Sequence, residues 1–292
     1  MDRRQFVGTA AALTAAELVS GCSPEPGMET SETSESAARS EPPAPLSPPL
    51  ERVGVQLYTV RSLMETDVEA TLGAVADIGY QEVEFAGYFG TGAAQLRRWL
   101  DDNGLDAVAA HVDPSSLTDR LDETLEFATT VGHRWLIQAF TPEAERTVDG
   151  YRRVADTLNS AGEAAASAGI RIGYHNHAFE FDPVGESTGM EMLLEHLDPE
   201  WADLEIDLHW AAAGGADVGA LYNAHPGRFR LCHVKGRDAG GGMVDVGAGV
   251  MDWAGLFAMS DLGGIQHYLV EHDSPEDPLA SIRASYRYLT GA

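Results

Sequence analysis

The run Leu231-Cys-His-Val-Lys-Gly-Arg-Asp238 holds the sole lysine of the chain, Lys235, two residues after His233. Every other Lys/Arg position, 18 in all, is arginine. The distinction is chemical: an ammonium on a flexible stem can shift its pKa and act as acid or electrophile, whereas guanidinium stays charged. Three further apolar runs also end in ionisable groups: Ile172-Gly-Tyr-His175-Asn-His177, Glu205-Ile-Asp207-Leu-His209 and Leu269-Val-Glu271-His-Asp273. Mixed imidazole and carboxylate donors suit Mn²⁺, Co²⁺, Zn²⁺ or Fe²⁺ better than Ca²⁺, which prefers oxygen ligands. The expected ligands are Asp207, His233 and Glu271, with His175 as the fourth. A divalent ion with open positions can grip a carbonyl and a hydroxyl, stabilise an enediolate and leave one carboxylate to shuttle a proton.

These groups must be brought together by the elements that carry them. From Val53 onward, short β-rich runs alternate with longer stretches of helical pattern. The expected strands are Val53–Tyr58, Glu82–Phe85, Ala107–Val112, Trp135–Phe140, Ile170–His175, Leu204–His209, Phe229–Val234 and Tyr268–Glu271. Helices are expected at Val68–Ile78, Ala93–Asp102, Leu117–Val131, Val148–Ala168, Met190–Leu197 and Leu279–Leu289. Such alternation argues for parallel strands with crossover helices, and the size matches an α/β (β/α)₈ TIM barrel, with a doubly wound open sheet as the alternative. In a barrel the C-terminal strand edges converge on the face where active sites form. Side chains two apart on a strand share a face, so His175 with His177, Asp207 with His209, and His233 with Lys235 can point together.

The formal charge is −27; residues 1–22 sum to zero and 23–50 to −4, leaving −23 on the domain. So acidic a surface without a basic stripe repels phosphate backbones, and no nucleic-acid partner is expected. Residues 1–22 read as a signal peptide: Arg3-Arg4 before Phe6 resembles a twin-arginine signal, and Val19–Cys22 resembles a lipobox. Cys22 is the expected lipidation site and the chain's only expected membrane attachment, which places the protein on a membrane facing the periplasm or cell exterior. Cys232 then has no disulfide partner. Residues 23–50, rich in Ser, Glu and Pro, read as a disordered tether, and 51–292 as the catalytic domain.

The chain resembles the sugar phosphate isomerase/epimerase superfamily, the xylose isomerase-like barrels that also include inosose dehydratases and the endonuclease IV group. The resemblance runs through Gly54-Val-Gln-Leu-Tyr-Thr-Val-Arg61, Val83-Glu-Phe-Ala-Gly87, Tyr174-His-Asn-His-Ala-Phe-Glu-Phe181, Ile206-Asp207, His233-Val-Lys235 and Val246-Gly-Ala-Gly-Val-Met-Asp-Trp253. It implies four metal ligands, at the ends of strands five to eight, on His175, Asp207, His233 and Glu271. Many members carry a glutamate where His175 stands, so the symmetric two-glutamate proton exchange of epimerases is not implied here. Chemistry with one carboxylate base, Glu271, assisted by Lys235 or His177 as acid, fits better: isomerisation, or elimination and hydration next to a ketone. Some exported relatives act in that way on 3-keto-glycosides.

Gln56, Tyr58, Arg61, Glu84, His111, Gln138, His209 and Arg237 are further candidates for binding sugar hydroxyls, with packing or loop fixing as the alternative for each. Gly240–Gly242 suggests a mobile loop after strand seven. Because sugar phosphates are cytoplasmic metabolites, an exported protein is expected to take an unphosphorylated sugar, cyclitol or keto-sugar. The competing readings are a 3-keto-glycoside lyase or hydrolase, and a non-catalytic carbohydrate-binding lipoprotein.

Overall fold

The computed structural model describes residues 43–292; the leader, Cys22 and the first part of the tether lie outside the described residues. Eight parallel strands close into a barrel. They are β1 (Gly54–Gln56), β2 (Glu82–Phe85), β3 (Asp106–Val112), β4 (Trp135–Gln138), β5 (Arg171–His175), β6 (Ala202–Asp207), β7 (Phe229–Val234) and β8 (His267–Val270). Each pairs with its sequence neighbours, and β1 closes the ring by pairing with both β2 and β8. Helices follow the strands and cover the outside, the longest being Val148–Ala165 and Pro278–Thr290. The chain is therefore a (β/α)₈ barrel, as its alternating pattern predicts.

Local chemistry sets the element ends. Side chains of Asp67, Thr147 and Asp277 cap the helices that follow them, and Thr188 with Glu191 forms a reciprocal capping box. At Gly54 an added Cβ would meet Leu269 Cδ2 at 2.5 Å and Glu82 Cβ at 2.9 Å, so the closing strand needs a residue without a side chain. Inside the barrel, Val108, Ile137, Leu231 and Leu269 form an apolar plug. At the plug's N-terminal side, Glu82 accepts from His267 Nδ1 at 2.9 Å and pairs with Arg52. The plug leaves the C-terminal face as the place where polar groups gather.

Several expected boundaries differ: β4 stops at Gln138 and not Phe140, the helix expected from Leu117 starts at Leu121, and β8 stops at Val270, one residue before Glu271. β1 stops at Gln56 because its side-chain oxygen accepts the Tyr58 amide at 3.0 Å and opens a 3₁₀ turn over Leu57–Val60. β6 stops at Asp207, whose carboxylate caps the helix Leu208–Ala213, so His209 lies in a helical turn and not on the strand. The expected tether is also shorter: Leu46 is buried, and the amides of Leu46 and Leu50 donate to the carbonyls of Tyr288 and Leu289 at 2.8 and 2.9 Å. Two leucines in the Pro-rich run find apolar cover against the last helix, and the folded unit begins before residue 51. Among the described residues no helix is long and apolar enough to cross a membrane.

Candidate active site

One ligand atom from each of His175, Asp207, His233 and Glu271 lies within 4.8 Å of the others, and all four residues are buried. The strand ends hold them there. Asp207 Oδ1 accepts the Trp210 amide at 2.9 Å, which leaves Oδ2 turned to the cluster, 3.3 Å from His175 Nε2. Asn176, fully buried, ties β5 to β6 by accepting the Asp207 amide at 3.0 Å. His233 meets Glu271 Oε2 through Nδ1 and Glu84 Oε2 through Nε2, both at 2.7 Å. A carboxylate on one ring nitrogen fixes the tautomer and aims the other nitrogen at a metal.

Lys235 Nζ lies 2.9 Å from Asp207 Oδ2, 2.8 Å from Glu271 Oε2 and 3.0 Å from Asp273 Oδ1. Burial acts against its charge, but Asp207, Glu271 and Asp273 outweigh that and hold its pKa above the usual lysine value. The ammonium is thus a fixed positive charge facing whatever develops negative charge at the cluster. His177 sits beside it, edge-on to His175 and stacked on Phe179. Burial brings its pKa down to about 4, so near pH 7 it is a neutral ring without a surplus proton.

The donor set fits a divalent ion. Metals take neutral imidazoles, and burial, reinforced by His233 and His111, keeps the His175 pKa well below its ordinary value. The two carboxylates supply negative charge at the oxygens that the Lys235 ammonium already touches.

A second layer lies beneath. Glu84 and Glu205 are both buried; His111 Nε2 contacts Glu205 Oε2 at 2.8 Å, and Gln56 Nε2 donates to Glu84 Oε2 at 2.8 Å. Burial and the Glu205 charge raise the Glu84 pKa. Glu205 is pushed the other way: His233 and His111 overcome the burial penalty and keep it ionised. This layer locks His233 from below.

The structure thus groups the four expected ligands with Lys235 and His177, and sorts the expected sugar-binding residues into two kinds. Tyr58 and His111 line a cavity of about 710 Å³ next to the cluster. The others spend polar atoms on the fold, in line with the packing or loop-fixing alternative expected for each. Gln56 and Glu84 belong to the buried layer. Arg61 donates to the carbonyls of Tyr58 and Asp273, Gln138 to that of Phe140, and Arg237 to that of Gly241. His209 contacts the Gly236 carbonyl through Nδ1 at 3.0 Å. Gly240–Gly242 closes an antiparallel hairpin, with Gly241 at φ 90°. Asn176, Glu205 and Asp273 were not singled out from sequence. The signal for two of them was present, since Glu205 and Asp273 stand two residues from Asp207 and Glu271.

The family model described as xylose isomerase-like TIM barrel matches residues 72–291. The chain belongs to that family. A sugar phosphate isomerase/epimerase from Parabacteroides distasonis superposes with a TM-score of 0.72 at 24% identity, covering 89% of this chain and 97% of its own. An IOLI protein with a bound zinc atom superposes with a TM-score of 0.65 at 15% identity, over 81% of this chain and 96% of its own. An inosose dehydratase from Lactiplantibacillus plantarum is 34% identical over 82 residues, 28% of this chain and 27% of the dehydratase. That match spans about a quarter of either protein.

Proposed function

We propose that this protein is a metal-dependent enzyme that moves a proton next to a ketone on an unphosphorylated sugar, cyclitol or keto-sugar, as an isomerase/epimerase or as a lyase. The observation that carries the reading is the convergence of His175, Asp207, His233 and Glu271 from successive strand ends. A divalent ion held by these residues would polarise a substrate carbonyl and its neighbouring hydroxyl.

The chain's own groups supply the rest. Glu271 is the base: its side chain is 6% exposed, whereas those of Asp207 and His233 are fully enclosed and that of His175 is 3% exposed, so it is the ligand residue most open to a substrate. Lys235, held by Asp273, faces the oxygen on which negative charge develops as the proton leaves. The buried Trp210 Nε1 and His177 Nδ1 have no hydrogen-bond partner among the described residues, which suits a ligand dense in hydroxyl groups.

Exchange between two opposed carboxylates is not favoured. His175 stands where a second glutamate would act, and Glu180 is fully buried, accepting from the Tyr174 hydroxyl and the His177 amide, both at 2.7 Å. This arrangement favours one-base isomerisation or elimination over symmetric epimerisation.

Elemental analysis of the purified protein, then turnover of free and 3-keto sugars with and without chelator, tests the reading. Glu271→Gln is expected to reduce kcat by ~10²-fold or more while the protein still folds; full activity in that variant removes Glu271 as base. Export and lipidation at Cys22 belong to the same proposal and support an unphosphorylated substrate. Incorporation of a labelled fatty acid, lost in Cys22→Ala, tests them. Turnover of a sugar phosphate far above that of the free sugar overturns the substrate assignment.

A further inference from the structure

We propose that the buried layer beneath the centre is a second cation site, in which Glu84, Glu205 and His111 hold a structural divalent transition ion such as Zn²⁺. It is separate from the cluster of Asp207 and Glu271 and does not depend on which sugar reacts there.

The other buried carboxylates of the strands and their ends each meet a permanent cation: Glu82 pairs with Arg52, Asp203 with Arg171, and Asp207 and Glu271 with Lys235. Glu84 and Glu205 are 0% and 1% exposed, and among the described residues their ionic partners are only the imidazoles of His111 and His233. An imidazole carries charge only when protonated, and a buried carboxylate without a lasting counter-charge is costly. Their hydrogen bonding is incomplete as well. Glu84 Oε1 and Glu205 Oε1 are buried without a hydrogen-bond partner among the described residues, although Glu84 Oε1 lies 3.3 Å from His111 Nε2. A divalent ion answers both needs at once, with two positive charges for two carboxylates and a partner for each free oxygen.

The donors already stand near ligand spacing. His111 Nε2 lies 2.8 Å from Glu205 Oε2 and 3.3 Å from Glu84 Oε1, so one nitrogen faces both carboxylates. Zinc bonds of ~2.0–2.2 Å in a tetrahedron set neighbouring donors roughly 3.3–3.6 Å apart, so a spread of roughly 0.5 Å suffices. His233 is not needed as a ligand here. Its Nδ1 faces Glu271 in the upper cluster, and its Nε2 donates to Glu84 Oε2 at 2.7 Å, which steadies the carboxylate whose other oxygen takes the ion. An ion also needs a way in. The His111 side chain is 14% exposed and lines the cavity of about 710 Å³, beside the rings of Tyr58, Tyr88, Phe127 and Phe140. None of the four upper ligand residues lines that cavity, so the lower site has its own route to solvent. Glu84 and Glu205 are enclosed beyond the reach of a substrate, which makes the ion structural.

Crystals of the full chain grown with Zn²⁺ and read by anomalous scattering at the zinc edge test the inference without any substitution. A peak bounded by Glu84, Glu205 and His111 is expected, separate from one at the upper cluster. Elemental analysis after free zinc is removed should give two ions per chain in the wild type and one in Glu205→Gln or His111→Ala, with circular dichroism confirming a folded protein. Asp207→Asn should lose the upper ion and keep the lower one. The absence of a lower peak, or two ions retained in both Glu205→Gln and His111→Ala, overturns the proposal. A lower peak with none at the upper cluster would instead remove the metal from the proposed reaction and leave this site standing.

Discussion

Replacing Glu84 by glutamine isolates the claim that the lower carboxylate layer aims His233. Glu84 Oε2 receives two contacts, His233 Nε2 at 2.7 Å and Gln56 Nε2 at 2.8 Å. A glutamine keeps the shape but offers one carbonyl oxygen, now neutral, and its amide nitrogen cannot accept. Hydrogen bonds to charged groups contribute ~1.5–3 kcal/mol and neutral ones ~0.5–1.5 kcal/mol, so the exchange weakens the hold on His233 by ~1–1.5 kcal/mol. Each ~1.4 kcal/mol is tenfold in affinity, so metal binding should weaken by roughly tenfold, at the low end of the ~10–100-fold seen when such outer partners are lost. Stability should respond differently. The variant removes one of two buried carboxylates, Glu84 beside Glu205, so the metal-free protein should be no less stable than the wild type. Metal affinity from competition with a coloured chelator, paired with urea denaturation of the metal-free protein, reads both effects. Unchanged metal affinity in the folded variant would refute the orienting role.

Further outcomes follow from the same geometry. Lys235→Met leaves Asp207 and Glu271 without their buried counter-charge and should destabilise the metal-free protein by ~3–5 kcal/mol; added divalent metal should narrow the gap in a denaturation assay. For metal-free His233, burial opposes the charge, but Glu205, Glu271 and Glu84 outweigh it and raise the pKa well above 6.5. Its stabilising contribution is therefore complete below about pH 6.5 and is lost as pH rises through the raised value. Because a metal must displace that proton, affinity should increase with pH across the same window, which titration calorimetry in buffers of different ionisation enthalpy detects. Asn176→Ala orphans the buried Asp207 amide and should cost ~1–3 kcal/mol of stability, measured by chemical denaturation. An added Cβ at Gly236 would lie 2.3 Å from the Val244 carbonyl oxygen, so Gly236→Ala should unseat the hairpin beside Lys235 and lower both the melting temperature and turnover.

The ligand positions were legible because each apolar run in the second half ends on an ionisable group, and a barrel has one face on which such ends meet. The boundary at Asp207 was not, because the same residue is a plausible strand continuation by pattern and a helix cap by hydrogen bonding, and only the Trp210 amide decides between them. Depth was also hidden. Strand tilt and stagger in a closed barrel set which residues lie level, and so Glu84, next to last in β2, meets Glu205, third from last in β6, under His233. The aromatic cavity escaped notice because loops and helix faces build most of its wall, and spacing along a strand says nothing of them.

The buried ammonium has a practical corollary. Lys235 is the sole side-chain amine in the sequence and is 2% exposed. Acylating labels, aldehyde fixatives and lysine-directed crosslinkers have no side-chain target on the folded surface, so their reaction at this residue reports on the opening of the barrel mouth.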